Sequence, residues 1–262
     1  MKKITPALLL IVCISFSQCN NQQQTETIDE VAALYSNMQV VSNIEYSKID
    51  SVSLLMDVYV PSKKLGEAPW NEYSNERKPT LLFFHGGGWR NGDKISRSLF
   101  LVPYIQKGWC IVTANYRHLD KTNLPGIISD ARYALNWVYD NADKYKFDTT
   151  KIIVSGESAG GHLALTTGLI TDDSPFQQEG RKINRKMKVA GIINWFGVVD
   201  LKKVSQTWDA EYYKQVGGDS THADSIFRLC SPVSYVRSTS PPIITIHGDQ
   251  DKAAPYERAV AA

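Results

Sequence analysis

The stretch Lys151–Leu165, KIIVSGESAGGHLAL, decides the architecture. Lys151–Ser155 (KIIVS) is a continuous apolar run, the pattern of a strand buried on both faces. Gly156-Glu157-Ser158-Ala159-Gly160 follows at once, and His162-Leu163-Ala164-Leu165 carries a helix onward. A strand that turns into a helix within one residue needs flanking positions without bulk, and Gly156 and Gly160 supply them. Ser158 then stands on the bend at the positive end of a helix, where a developing negative charge is favoured. Serine in this G-x-S-x-G context reads as a nucleophile.

Working outward, the same alternation recurs. Val40–Ile49 and Ser53–Val60 read as an opening β pair. Thr80–Phe84 (TLLFF), Trp109–Ala114 (WCIVTA), Val189–Phe196 (VAGIINWF) and Ile243–His247 (IITIH) are further buried strands. Ile127, Ile128, Ala131, Ala134, Leu135, Val138 and Ala142 fall at helical spacing on one face. Alternating strand and helix predicts an α/β fold, a mostly parallel twisted sheet with helices on both faces. In such sheets reacting groups gather beyond the carboxyl ends of the strands. Pro61–Pro79 reads as a polar loop with an apolar island at Trp70, and Asp172–Lys188 as a charged, solvated insertion. Asp200–Ser231 reads as an irregular stretch. Its aromatics Trp208, Tyr212, Tyr213 and Phe227 suit a cap over the site and core packing equally well.

His85-Gly86-Gly87-Gly88-Trp89 ends the strand TLLFF. Glycines let the backbone approach a ligand and turn N–H groups toward it, which an acyl-transfer oxyanion requires. Gly87 and Gly88 are the predicted donors, with the Ala159 N–H as the third. A phosphate cradle would need a following Lys-Ser/Thr, which Gly88-Trp89-Arg90 lacks. His85 reads as an orienting hydrogen-bonder. Asp249 and Asp251 follow the strand IITIH, where the acid of a Ser…Asp…His order belongs. Asp251 is favoured over Asp249, with Pro255-Tyr256 opening the next helix.

The five histidines are His85, His118, His162, His222 and His247, all upstream of Asp251. His162 sits one helical turn beyond Ser158 and points away from it. His222 stays open as a base. The expected account is a chain incomplete at its C-terminus, with a final strand, a histidine loop and a closing helix beyond Ala262.

Composition bounds the partners. The chain has 262 residues, 43% hydrophobic and 21% charged, enough for one sizeable core. The formal charge is +2, and Lys2 and Lys3 account for it. Without those two the balance is zero, and no basic excess points to nucleic acid or an anionic membrane. The four cysteines lack paired spacing for a disulfide scaffold or zinc ribbon. Cys110 and Cys230 read as buried free thiols. The basic Met1-Lys2-Lys3 and the apolar Ala7–Phe16 read as a secretory leader, too short to span a bilayer. Ser15-Phe16-Ser17-Gln18-Cys19 resembles a bacterial lipoprotein signal with lipidation at Cys19. Gln18 departs from the usual small residue, and plain secretion is the alternative. The expected layout is a leader at 1–18, a flexible tether at 19–38 and one α/β domain at 39–262, in the periplasm or cell envelope, with membrane contact only through a lipid at Cys19.

HGGGW at 85–89, Asn115-Tyr116-Arg117, Asp130 with Trp137, GESAGGHLAL at 156–165, Ser231-Pro232-Val233 and PPIITIHGDQD at 241–251 together resemble the α/β-hydrolase fold. The nearest branch is the esterase/lipase family with an HGGG oxyanion loop, particularly bacterial acetyl-xylan and feruloyl esterase-like proteins. The resemblance runs from about Val52 onward. It implies a Ser–Asp–His triad with Ser158 and Asp251 as its present members. It implies short-chain ester substrates, small molecules or acyl groups on polysaccharides, and no metal or cofactor. Ala253-Ala254-Pro255 replaces the family's apolar Val-Pro after the acid, and the late histidine is missing. Two other readings stay open: an amidase, such as an arylformamidase, or a prolyl-oligopeptidase-like peptidase; and a catalytically dead fragment.

Overall fold

A computed structural model describes residues 38–61, 76–171, 176, 183, 185–218, 221–252 and 256. The leader, Cys19, the tether up to residue 37, Trp70 and Pro255 lie outside the described residues. Among the described residues seven strands form one sheet: β1 Met38–Ile49, β2 Val52–Pro61, β3 Lys78–Phe84, β4 Cys110–Ala114, β5 Phe147–Glu157, β6 Gly191–Trp195 and β7 Ile243–Ile246. Their order is β1-β2-β4-β3-β5-β6-β7. The opening pair is antiparallel, and β2 also runs antiparallel to β4. From β4 to β7 every pairing is parallel. β1 begins at Met38, one residue inside the stretch expected to be tether.

Alternate residues of β3 serve opposite faces, as a period of two requires. Leu82 and Phe84 join a large core with Val112, Val154 and the helices α2 (Leu124–Asp140) and α4 (Ala159–Leu169). Leu81 and Phe83 join a smaller core with Ile111 and Leu101, beside the short helix α1 (Val102–Gln106). The one-turn helix α3 is Ala142–Tyr145. Asn123 caps α2 by accepting a hydrogen bond from the Gly126 N–H, with Pro125 in the first turn, a standard helix opening. Nearly every residue of α4 is buried, so it shows no polar stripe. Cys110 and Cys230 are buried and unpaired as expected, and burial pushes the Cys110 thiol up to about 12.

Three expectations are corrected. Asp200–Ser231 is helical rather than irregular: α5 Leu201–Ser205, α6 Ala210–Gly217 and α7 Ala223–Cys230. Asp200 and Asp209 cap the first two by accepting from N–H groups in their opening turns. In the 172–188 insertion, Phe176, Ile183 and Met187 are buried, because apolar side chains anchor it to the core between exposed Arg185, Lys186 and Lys188. β7 is not a buried strand: its four residues are exposed, since among the described residues it forms the sheet edge with β6 as its single neighbour.

One buried ion pair ties the end of β4 to α2. Asp130 is fully buried and takes the Arg117 guanidinium in a two-point contact, Nε–Oδ2 2.8 Å and Nη2–Oδ1 2.9 Å. It also accepts the Arg117 N–H at 3.1 Å. Removing one member leaves the other buried and uncompensated. Asp130→Ala should therefore lower stability by about 3–5 kcal/mol in urea titration. Asp224→Ala, which removes the exposed partner of Lys202, should cost less than about 1 kcal/mol. Equal losses would contradict the assigned role of burial.

Candidate active site

The site lies where the chain order of the parallel strands reverses. β3 has β4 on one side and β5 on the other, so the segments leaving β3 and β5 diverge and open a crevice between them. His85–Trp89 leaves β3 and Ser158 leaves β5. The two segments pack backbone to backbone. A Cβ added at Gly160 would overlap the carbonyl oxygens of Phe84 and His85, and one at Gly156 would overlap the Gly160 carbonyl. The two glycines flanking Ser158 are required by close approach, as the sequence predicts.

Ser158 has φ 51° and ψ −118° and occupies the N-cap of α4. Serine is a favoured N-cap because its hydroxyl bonds the opening N–H groups. Here the side chain makes no cap hydrogen bond, so the hydroxyl is not spent on the helix. The bend is held by main chain instead: the Ser158 N–H donates to Trp195 O at 2.9 Å, and the Ser158 carbonyl accepts the His162 N–H at 3.0 Å.

A cavity of about 330 Å³ opens above the bend, lined by Gly88, Trp89, Ser158, Ala159, Phe196, Val198, Val204, Trp208, Tyr212 and Asp251. It brings together four of the predicted site residues: Ser158, Gly88, Ala159 and Asp251. Gly87 is not among the lining residues. It has φ 119°, and a side chain there would strike Asn91. None of the backbone hydrogen bonds among the described residues uses the N–H of Gly87, Gly88 or Ala159. Asp251 lines the cavity, while Asp249 is exposed and does not. Cys19 lies outside the described residues.

Six non-glycine residues among those described have positive φ, and three of them, Trp89, Ser158 and Phe196, line this cavity. Each such conformation costs on the order of 1–3 kcal/mol, and such costs cluster at functional sites. Sequence reading missed Phe196 and Val198. Their signal was position alone, since they follow β6 at the same end of the sheet. Both alternatives for the aromatics of 200–231 are realised: Trp208 and Tyr212 line the cavity, while Tyr213 packs on the buried Phe227 with ring centroids 5.0 Å apart.

Among the described residues, no histidine lines the cavity. His162 is buried beneath it, its Nε2–H donating to Cys230 O at 2.8 Å. His85 stacks on Tyr116 at 4.4 Å and donates from Nδ1 to Gly86 O at 2.7 Å, an orienting role. His118 is half-buried, edge-on to both rings. His222 is exposed at the start of α7. His247 Nε2 lies 3.6 Å from Asp251 Oδ2.

The parallel sheet, the glycine loop after one strand and the serine bend after the next define an α/β-hydrolase fold. The chain belongs to the BD-FAE family, whose model matches residues 56–262. It is 29% identical over 190 residues to the esterase LipQ of Mycobacterium tuberculosis, covering 71% of this chain and 45% of the relative. It is 24% identical over 237 residues to the isoprenylcysteine alpha-carbonyl methylesterase ICME of Arabidopsis thaliana, covering 86% of this chain and 52% of the relative. The chain thus spans about half the length of the curated relatives it matches. A truncated carbohydrate esterase from gut microbiota superposes with TM-score 0.70 at 23% identity, covering 86% of this chain and 82% of that one. Apo esterase 2 of Thermogutta terrifontis superposes with TM-score 0.67 at 24% identity, covering 84% and 75%.

Burial beneath the site also sets a pH dependence. It pulls the imidazoles of His85 and His162 from 6.5 down to about 4. Both are neutral in the native state, whereas the unfolded chain takes up protons below about 6.5. Protons therefore favour the unfolded form, and stability falls as pH drops from 6.5 toward 4. The urea midpoint should decline between pH 6.5 and 5, before most carboxylates titrate. The slope should be shallower in His162→Asn, and an unchanged slope would contradict the burial argument.

Proposed function

We propose that the protein is a serine carboxylic ester hydrolase acting on short-chain acyl esters, with acetyl or feruloyl groups on polysaccharides as the substrate class. The observation that carries this reading is the single cavity holding Ser158, Gly88, Ala159 and Asp251 together. Its apolar and aromatic lining suits an acyl group. The matched relatives include proteins named as esterases and a carbohydrate esterase, which supports the same chemistry.

In this mechanism the Ser158 hydroxyl attacks the acyl carbonyl, forming an Oγ–C bond as its proton passes to an imidazole and the carbonyl π pair moves onto oxygen. The N–H groups of Gly87, Gly88 and Ala159 receive the oxyanion; losing one donor of this kind costs about 10²–10³ in rate. Asp251 orients the imidazole and stabilises its charged form. The imidazolium then protonates the departing alcohol, and water attacks the acyl-enzyme to release the acid. The reading requires an imidazole that reaches both Ser158 and Asp251, a place that none of the lining residues fills.

Fluorophosphonate labelling and p-nitrophenyl acetate hydrolysis test this directly. Label should map to Ser158, and Ser158→Ala should abolish both label and turnover, with the acetate ester turned over faster than the matching anilide. Faster anilide turnover would favour the amidase reading. A second reading, ligand binding without turnover, is favoured by the histidine-free lining of the cavity. It predicts no label on Ser158 while an aryl acetate still protects the intrinsic fluorescence of Trp89 and Trp208 from quenching.

For the N-terminus we propose export followed by lipid attachment at Cys19. Cys19→Ala should shift the protein from the membrane pellet to the soluble fraction; an unchanged distribution would remove the anchor.

A further inference from the structure

The carbonyl groups of the glycine loop are held from three directions. Gly86 O accepts from His85 Nδ1. Gly87 O accepts the N–H groups of Arg90 at 3.0 Å and Asn91 at 3.2 Å. Gly88 O accepts the Tyr212 hydroxyl at 3.0 Å, from a residue 124 positions away on α6. The first two restraints come from the loop itself. The third comes from a helix that covers the cavity.

Gly88 is the position where an outside restraint matters most. Its φ is +60°, in a region where glycine moves freely. A rotation about its two backbone bonds swings the peptide that follows relative to its own N–H. The Tyr212 oxygen also sits 3.2 Å from where a Gly88 Cβ would stand. Tyr212 is itself firmly seated. Its ring lies 4.8 Å from that of Trp208 and 6.4 Å from that of Trp89, centroid to centroid. The Arg90 guanidinium lies over its face at 4.1 Å, and its N–H donates to Asp209 at 2.8 Å. Burial pushes its phenol up to about 12, so the hydroxyl keeps its proton and remains a donor at neutral pH.

We propose that Tyr212 is a positioning residue that clamps the Gly88 carbonyl and so holds the peptide after Gly88, while Arg90 and Asn91 hold the Gly87 carbonyl and with it the peptide before; with both planes fixed the Gly88 N–H keeps its direction toward the oxyanion. The proposal rests on the ester-hydrolase reading of the site. Because Tyr212 also lines the acyl cavity, one side chain both meets the acyl group and sets the donor. An acyl group that displaces the Tyr212 ring loosens the donor, so poor substrates fail in kcat rather than in KM.

The test uses Tyr212→Phe in the full chain, which deletes the hydroxyl and keeps the ring against Trp89, Trp208 and Arg90. With p-nitrophenyl acetate, kcat should fall about tenfold, equivalent to about 1.4 kcal/mol of transition-state stabilisation. KM should stay within about twofold, as expected for an interaction used only in the transition state. Arg90→Ala, which frees the ring but keeps the hydroxyl, should lower kcat by a smaller factor and decides the matter if the first variant does not fold. Ser158-dependent turnover with wild-type kcat in the folded variants, or a rise in KM alone, overturns the clamp and leaves the esterase reading standing. Wild-type turnover that is absent, or that survives Ser158→Ala, overturns both.

Discussion

The site depends on a backbone contact: the turn around Ser158 is pressed against the end of β3 so closely that neither Gly156 nor Gly160 has room for a Cβ. That contact places the serine beside the glycine loop, because the loop is the direct continuation of β3. It also forces the bend to be tight, which is why Ser158 is driven to φ 51°. A strained residue persists only where its surroundings over-determine it. Here β6 takes the Ser158 N–H, α4 takes its carbonyl, and Gly161 and Gly197 pack closely around Asn194, whose Oδ1 accepts the Gly197 N–H at 2.9 Å. The cost of one bad dihedral is spread over three elements.

The glycine loop has a foundation of its own. The segment after Trp89 is stitched to β2 and to the end of β4 by polar groups. Lys94 Nζ meets the buried Asp57 at 3.0 Å, and Asp57 also accepts the Asn43 N–H at 2.7 Å. Asn115 accepts the Lys94 N–H at 2.6 Å and donates to Asp93 Oδ2 at 2.9 Å. Buried polar groups become costly when partly satisfied and rigid when fully satisfied. This network fixes the downstream end of a loop whose glycines would otherwise wander. It gives a physical reason for Asn115 to stand beside Tyr116, whose hydroxyl donates to His85 O at 2.8 Å, and Arg117, which anchors the same segment to α2.

These features differ in how far the sequence announces them. Continuous apolar runs betray doubly covered strands, and β3, β4, β5 and β6 lie where those runs fall. Gly156 and Gly160 are legible because sterics leave them no substitute. β7 carries the same apolar signature but is exposed, since a run of isoleucines records suitability for burial and says nothing of what lies alongside. The helices of 200–231 escaped because they are only five to eight residues long, too short for periodicity to build up. Their Asp200 and Asp209 caps were the available signal. The 172–188 insertion was misread for a related reason: three spaced apolar residues, Phe176, Ile183 and Met187, are diluted by charge although each is buried. Positive φ at Phe196 has no local signature, because it arises from how β6 is tied to neighbours distant in sequence.

The covering helices carry a further implication about how such a fold diversifies. The bend and the glycine loop sit on strands of one sheet and are fixed by backbone sterics, so they tolerate little change. Trp208 sits in the connection between α5 and α6, and Tyr212 on α6, where sequence is freer to vary. Yet the cover is not independent of the chemistry, because Tyr212 reaches across to the Gly88 carbonyl and Trp89 stands edge-on to both Trp208, at 6.3 Å, and His162, at 5.1 Å. A change in the cover that reshapes the cavity is therefore transmitted to the glycine loop through one hydroxyl and one indole. Residues 208 and 212 are constrained together by the cavity they line and by the loop they pack against.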